Sequence, residues 1–446
     1  MAHRQLLLAA FVLVASPGCE GGAASECGGG LEFALSKSEV SSRIPTVGVV
    51  EWSLAGAAPA GAKIVYQLKN AASSTLNQGG EAPVNLGNPS YRTLLLGLKQ
   101  AHDYTFHIEA ARNGQTCISP DYALPTTGSF AYSPPVTVTV AQANKREPGF
   151  IVTSSGTFVP SSAFIVDADG DIVWYVDAPQ NPTRAQMDYE GDNMWMVSLN
   201  LDNVDGEMRY VAMDGEEEHD NVPGLLHAHH DFTVMPGGKV AALAWRISGI
   251  DPESELVIRS PDGTVTSPFP IGSNLYLSDT YHADAIHYNP FDDSFTIADR
   301  NPNVLVEVSA TGTPAWQLGG LCDNAPAGSR CSPQDWQVVH GHHLLEDGTL
   351  VLFNNTYTTV SHVFELKLNA TPSSFAATLV KNYAGNGLST TMGDVQRLPG
   401  GNTLVTYATD GKLVELDSSW NVVQTLAVRV GYSNWRPTLY GPPQRL

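Results

Sequence analysis

The histidines of this chain fall into a register rather than a scatter. Four segments, beginning at Asp231, Ala285, His343 and Asp394, each run from a short strand through a Gly- or Asp-rich turn into an apolar strand. Aligning Phe232, Ile286, Leu344 and Val395 and counting back two residues gives His230, Asp284, His342 and Gly393. Counting back four gives Ala228, His282, His340 and Thr391. Side chains two apart on a strand share a face, so the register predicts rings of His, Asp and Thr around one cleft. A neutral imidazole is a competent nucleophile near neutral pH, where a serine would need a separate base. Arg300 supplies a permanent forked cation for the oxygens of an anionic group. A second histidine can protonate a departing oxygen, a contribution of ~10²–10⁴-fold. Histidine clusters also suit metals, but Arg300 converging on the same cleft disfavours a bound cation. No metal and no cofactor are expected.

The elements that must hold these side chains are short strands. The chain has 41 Gly and 29 Pro in 446 residues, a composition of many turns. The aligned segments recur every 50 to 60 residues or so, the range of propeller blades with loops. Two more divergent units fit near 150–180 and 183–215. The expected fold is all-β: a six-bladed β-propeller over 134–446, whose innermost strands start at the central channel. It is preceded over 32–133 by a small fibronectin type III-like β-sandwich. There, strands such as Tyr104–Ile108 alternate, and Leu96-Gly97-Leu98 followed by Tyr104 suggests a tyrosine corner. A pair of sandwiches is the alternative, but it would not explain a recurring strand-turn-strand unit.

Charge narrows the function. A net charge of -21 argues against a nucleic-acid surface, while a local nest of Arg and His can still attract a small anion. Residues 1–19 read as an export signal, with His3 and Arg4 ahead of an apolar run, Leu6 to Val14, too short to span a bilayer. The signal ends at Gly18-Cys19 and is similar to a lipoprotein signal, in which the cysteine is acylated; plain cleavage nearby is the alternative. Residues 20–31 form a Gly/Ala-rich tether. The expected location is outside the cytoplasm: the periplasm, or the outer membrane of a bacterium through lipidated Cys19. Beyond Cys19 the cysteines are even in number: Cys27, Cys117, Cys322 and Cys331. In an oxidising compartment they suggest two disulfides, Cys322 with Cys331 and Cys27 with Cys117; zinc is the weaker reading, since no C-x-x-C pair is present.

Several stretches, in order, resemble the bacterial arylsulfate sulfotransferase family, which needs no nucleotide sulfate donor. They are His229-His230-Asp231-Phe232, Tyr281-His282-Ala283-Asp284-Ala285-Ile286, Asp299-Arg300, Trp316 through Gly319-Gly320, His340, Phe353-Asn354-Asn355, and Tyr432 through Trp435-Arg436 to Tyr440. The resemblance covers roughly 135–446 and implies a ping-pong reaction: an aryl sulfate gives its sulfuryl group to a histidine, and a phenol takes it away. His340 matches the nucleophile; His282 and Arg300 match residues that hold the sulfate and the developing charge. His230 matches a further histidine, with His229 competing. Thr391 falls where a hydroxyl-bearing residue is placed, with Thr390 the other candidate. Asp284 stands where the family usually has Asn. The Cys322–Cys331 loop resembles a disulfide loop before the nucleophile. Sulfuryl transfer is in-line and spreads charge over equatorial oxygens, as phosphoryl transfer does, so it asks for these residue types on its own account.

Other readings stay open. One of His342 and His343 must face away from the channel. The run Asp167-Ala168-Asp169-Gly170-Asp171 looks calcium-like but lacks the closing Glu of an EF-hand loop, so a hairpin turn is expected. Trp174, Trp245 and Trp316 suit the core. The same polar ring could serve a non-catalytic surface propeller that binds a glycan, peptide or anion, or a metal-dependent hydrolase or lyase.

Overall fold

A computed structural model describes residues 33–443, apart from 113, 200–205, 247–252, 272–281, 326–328, 335, 356–359 and 372–373. The chain is all-β, with eight sheets and three single-turn 3₁₀ helices among the described residues. The first two sheets lie before residue 125. One joins Phe33–Val40, Gly48–Leu54 and Thr93–Leu95; the other is built on Gly61–Leu68 and Tyr104–Arg112. Their alternation buries Trp52, Ile64, Tyr104, Phe106 and Ile108 in one cluster. The Tyr104 hydroxyl accepts a hydrogen bond from the Lys99 amide, five residues upstream, at 2.8 Å.

Six sheets follow. Four of them are made of consecutive strands, starting at Pro182–Met187, Ala228–Met235, Ala283–Asn289 and Val339–Leu344. The other two are completed from a distance. Ser433–Arg436, near the end of the chain, pairs with Phe150–Ser154 of the first sheet. Thr137–Val140 pairs with the last strand of the sixth, Val422–Ala427. The two ends of this region are therefore stitched into each other's sheets. The leading strand of each sheet packs on that of the next, from Pro182–Met187 through Ala228–Met235, Ala283–Asn289, Val339–Leu344 and Asp394–Arg397 to Ser433–Arg436, which returns to Pro182–Met187. Close approach needs small residues at the contact. A Cβ on Gly341 would sit 2.1 Å from Asp394 Oδ1, and one on Gly393 would sit 2.3 Å from the Phe353 ring.

The Asp167–Asp171 run is a hairpin turn between Ser162–Asp167 and Ile172–Asp177. A cation does fill it: the Lys99 ammonium, which ion-pairs Asp167 and lies 3.2 Å from Asp169 and 2.6 Å from Asp171. A buried lysine held by three carboxylates ties the N-terminal sheets to the first of the six. Trp174 and Trp316 are buried, as their strand positions suggest.

Cys322 and Cys331 are disulfide-bonded, with Cα atoms 5.5 Å apart. Arg330–Ser332 then runs parallel to Pro314–Gly319, which pins the connection leading to His340. Cys117 is also disulfide-bonded; Cys27 and Cys19 lie outside the described residues. A closed loop this short constrains the unfolded chain by only about 3 kcal/mol in the entropy picture. Reduction and alkylation should therefore shift Tm by a few degrees while lowering the activity of the neighbouring site at least tenfold. A thermal melt and a rate measured on the same sample decide this; unchanged activity would detach the loop from the site.

Candidate functional site

His340, Asp284, His230 and His282 meet where the leading strands begin, in two groups rather than two rings. The first joins the fourth and fifth of the six sheets. His340, 2 % exposed, places Nδ1 2.6 Å from Asn355 Oδ1 and Nε2 3.0 Å from Asp284 Oδ2. Asn355 is oriented by its own donors, since Nδ2 donates to the carbonyls of Ser389 (2.8 Å) and Met392 (2.6 Å). Its Oδ1 can only accept, so His340 Nδ1 carries the proton and Nε2 keeps its lone pair. The second group crosses from the third sheet to the fourth. His230 Nε2 lies 3.0 Å from His282 Nε2, and His230 Nδ1 lies 2.8 Å from His229 Nδ1. His229 itself stacks on Trp245 with ring centroids 4.0 Å apart, approaches Ser254 Oγ at 3.3 Å, and bonds the Ala244 carbonyl. It is the inner support, and His230 is the one that meets His282.

Counting in twos fails because the strands are bulged. Register shifts fall between Ala228 and Phe232, between Ala283 and Ala285, and between Val339 and His342. His230 has φ +55° and Val338 φ +56°, left-handed conformations that are rare for side-chain-bearing residues and costly for a β-branched one. The strand gains two extra residues between Ala228 and Phe232 and one at each of the other two shifts, so the count in twos is lost, and His340 rather than His342 meets Asp284.

Electrostatics keep this cluster neutral. Burial first, and Arg300 second, push His340 down to about 3 and His282 down to about 4. Burial likewise pushes His229 down to about 3 and holds His230 well below its ordinary value. Arg300 follows the Ser294–Asp299 strand, and its amide bonds the His282 carbonyl at 3.3 Å. Its guanidinium makes no ion pair or hydrogen bond among the described residues, yet its charge acts on His230, His282, His340 and Asp284. It is an uncompensated fork beside neutral histidines. Asp284 is fully buried, and burial pushes its carboxyl well above the ordinary range.

Thr391 is not drawn into either group. It is exposed, its carbonyl accepts from Ser389 Oγ at 2.9 Å, and its hydroxyl makes no hydrogen bond among the described residues. Thr390 is exposed as well. His342 and His343 both line the channel deeper in: His342 Nε2 lies 2.8 Å from Thr296 Oγ1, and His343 Nδ1 accepts from the Arg397 amide at 3.1 Å. Both border one cavity, although the strand alternates regularly from His342 to Leu344. Sequence reasoning missed Arg184, buried between Asp231 and Asp394 (2.9 Å) with Tyr432 under its guanidinium. It also left open Asn355, which orients the His340 ring. Among the described residues no group of three or more His, Cys, Asp or Glu is placed to hold a metal ion. No described helix is long and apolar enough to cross a membrane.

Histidines, a guanidinium and a carboxyl thus lie together in an all-β chain. Two family models, both described as arylsulfotransferase (ASST), match residues 136–260 and 262–429. Over 136–429, the chain belongs to the arylsulfotransferase family. No curated protein matches the sequence. Among solved structures, a protein of unknown function from Bacteroides caccae is 13 % identical, covering 65 % of this chain and 99 % of that one at a TM-score of 0.45. A catalytically inactive virginiamycin B lyase from Staphylococcus aureus, solved with quinupristin, is 12 % identical over 65 % and 88 % at 0.40. Kuenenia stuttgartiensis hydrazine synthase is 11 % identical over 71 % and 90 % at 0.42. These distant likenesses carry no weight in assigning a function.

Proposed function

We propose that this protein moves a sulfuryl group from an aryl sulfate to a phenol through a covalent sulfohistidine on His340. The site sits at one mouth of a six-bladed propeller that a fibronectin type III-like sandwich precedes. The observation that carries this is the fixed tautomer of His340. Asn355 accepts a hydrogen bond from Nδ1–H, which leaves the lone pair on Nε2, and the nearby Arg300 guanidinium makes no ion pair among the described residues. Sulfuryl transfer needs that combination: a neutral nitrogen nucleophile and a fork for the equatorial oxygens. The ring of packed leading strands and the exchanged terminal strands support the propeller. The Tyr104 hydrogen bond to the Lys99 amide supports the sandwich.

In the first half-reaction, Nε2 bonds to sulfur as the sulfur–aryl oxygen bond breaks, and the electron pair leaves on the aryl oxygen. His282, backed by His230 and His229, handles the proton that the phenol gains. Arg300 lowers His282 in the empty site, and a bound anion offsets that push, so more of His282 carries the second ring proton when donor is present, and that proton goes to the departing aryl oxygen. The acceptor phenol reverses these steps. The disulfides fit an exported protein, in the periplasm or anchored to the outer membrane through Cys19.

A chromogenic aryl sulfate, offered with and without a phenol acceptor and a chelator, tests the reading. Release that needs the acceptor and resists the chelator is the expected result. Chelator-sensitive release would mean a metal-dependent hydrolase. No release, together with stabilisation by the ligand, would mean a binding propeller.

A further inference from the structure

The leading strands carry a second cavity at their far ends. His340, Asp284 and His230 stand near the starts of Val339–Leu344, Ala283–Asn289 and Ala228–Met235. Leu344, Tyr288 and Val234, near the ends of the same strands, line a cavity of about 70 Å³. At ~3.3 Å per residue, the step from His340 to Leu344 puts the two places on the order of 10 Å apart. None of the residues around this cavity belongs to either histidine group of the candidate site.

Its lining has two characters and no free charge. Met187, Val234, Leu344 and Phe291 give it an apolar side, and Phe291, 39 % exposed, marks where it meets solvent. Gln186, Thr233, His287, His343 and Asn434 give it a polar one. No carboxyl lines it among the described residues. The cation there, Arg436, gives all three guanidinium nitrogens to the main-chain carbonyls of Thr438, Asp188 and Gly441. Burial keeps His343 down at about 4 and His287 well below its ordinary value, so both rings are neutral. A charged ligand would leave water with no counter-charge to meet it. The cavity suits an uncharged one.

The polar side still has hydrogen bonds to make. His343 Nδ1 accepts from the Arg397 amide at 3.1 Å, which leaves its proton on Nε2. His287 makes no hydrogen bond among the described residues, and its Nδ1 is buried without a partner. The two rings stand 5.2 Å apart, centroid to centroid. The Asn434 side chain makes no hydrogen bond among the described residues either. Buried side-chain polar groups are paired in the large majority of cases, so two histidines and an amide left over around one small space point to a ligand that brings its own polar group.

We propose that this far cavity binds a small uncharged phenol, with its ring against Met187, Val234 and Leu344 and its hydroxyl between His287 and His343. A phenol hydroxyl both donates and accepts, so it meets an imidazole nitrogen of either kind. Tyr288 and Phe291 present aromatic faces and edges that an aryl ring meets better than an aliphatic alcohol does. The site does not rest on the sulfuryl-transfer reading, since binding there needs no turnover.

The test is a titration of the full-length protein, its histidine rings isotope-labelled for magnetic resonance, with 4-methylphenol and no aryl sulfate. The His287 resonance, identified by its loss in His287→Phe, should move to saturation. Methylbenzene, 4-methylcyclohexanol and benzoate should each bind there about tenfold more weakly or worse. A His287 resonance that stays still overturns the proposal, whether or not other histidines move. Methylbenzene or 4-methylcyclohexanol binding as tightly as the phenol also overturns it, the first by removing the hydroxyl's part and the second the ring's. Benzoate binding more tightly overturns it in favour of an anion. Should His287→Phe not fold, Phe291→Ala at the exposed rim takes its place. It should weaken the titration of the moving histidine resonance about fivefold, and an unchanged titration overturns the proposal. A failure of sulfuryl transfer in the chromogenic assay would leave every one of these outcomes as it is.

Discussion

His340→Ala should end transfer, with a loss on the order of 10⁶-fold, the scale seen when a covalent nucleophile is removed. Nothing else in the cleft can replace it. His230 and His282 face each other at 3.0 Å, and His229 is stacked on Trp245. The fold should survive. Truncation leaves Asn355 Oδ1 without its donor, a cost of about 1–3 kcal/mol, but Nδ2 keeps both its carbonyl partners. Wild-type protein held with donor and no acceptor should gain the mass of one sulfuryl group on the peptide that contains His340. A label on another residue, or normal turnover by the variant, would move the nucleophile elsewhere.

The residues of this site were legible in the sequence, but their pairing was not. The all-β class follows from alternating strands and regular turns, which are local signals. The recurrence of one template was enough to bring His230, His282, Asp284 and His340 to one end of their strands. What broke was the step of two. The shift beside His230 adds two positions, and those beside Asp284 and His340 add one each, which exchanges the faces there. Left-handed His230 and Val338 give no sign of themselves in residue type, since glycine is the usual marker and neither is glycine. Thr391 was counted onto the channel face by the same step; it is exposed and joins neither group of side chains. Arg184 was out of reach for another reason. Its partners are 47 and 210 residues away in Asp231 and Asp394, and only packing between strands of different sheets brings them together. Lys99 and the Asp167–Asp171 turn are a third case: the acidic run was visible, and the lysine that fills it comes from the preceding region.

Arg300→Lys should lower kcat/KM roughly 10²–10³-fold, the usual cost of removing one well-placed stabilising donor. Charge is conserved in this variant, so the loss would report geometry: an ammonium is a point charge and cannot grip two equatorial oxygens at once. Arg300→Met separates the other contribution. Arg300 is the second cause, after burial, of the lowered pKa of His340 and His282. Without its charge both histidines rise, and more of each is protonated at a given acidic pH. The acid limb of the rate, which wild type should show only far below pH 6.5 because His340 stays neutral to about 3, should then move upward in pH. In the Lys variant that limb should stay where it is while the plateau drops. Kinetics across pH with one aryl sulfate distinguish the two effects. A Lys variant with unchanged kinetics would take Arg300 out of the cleft. It would also remove the positive charge that argues against a metal there, and the chelator experiment would then become the deciding one.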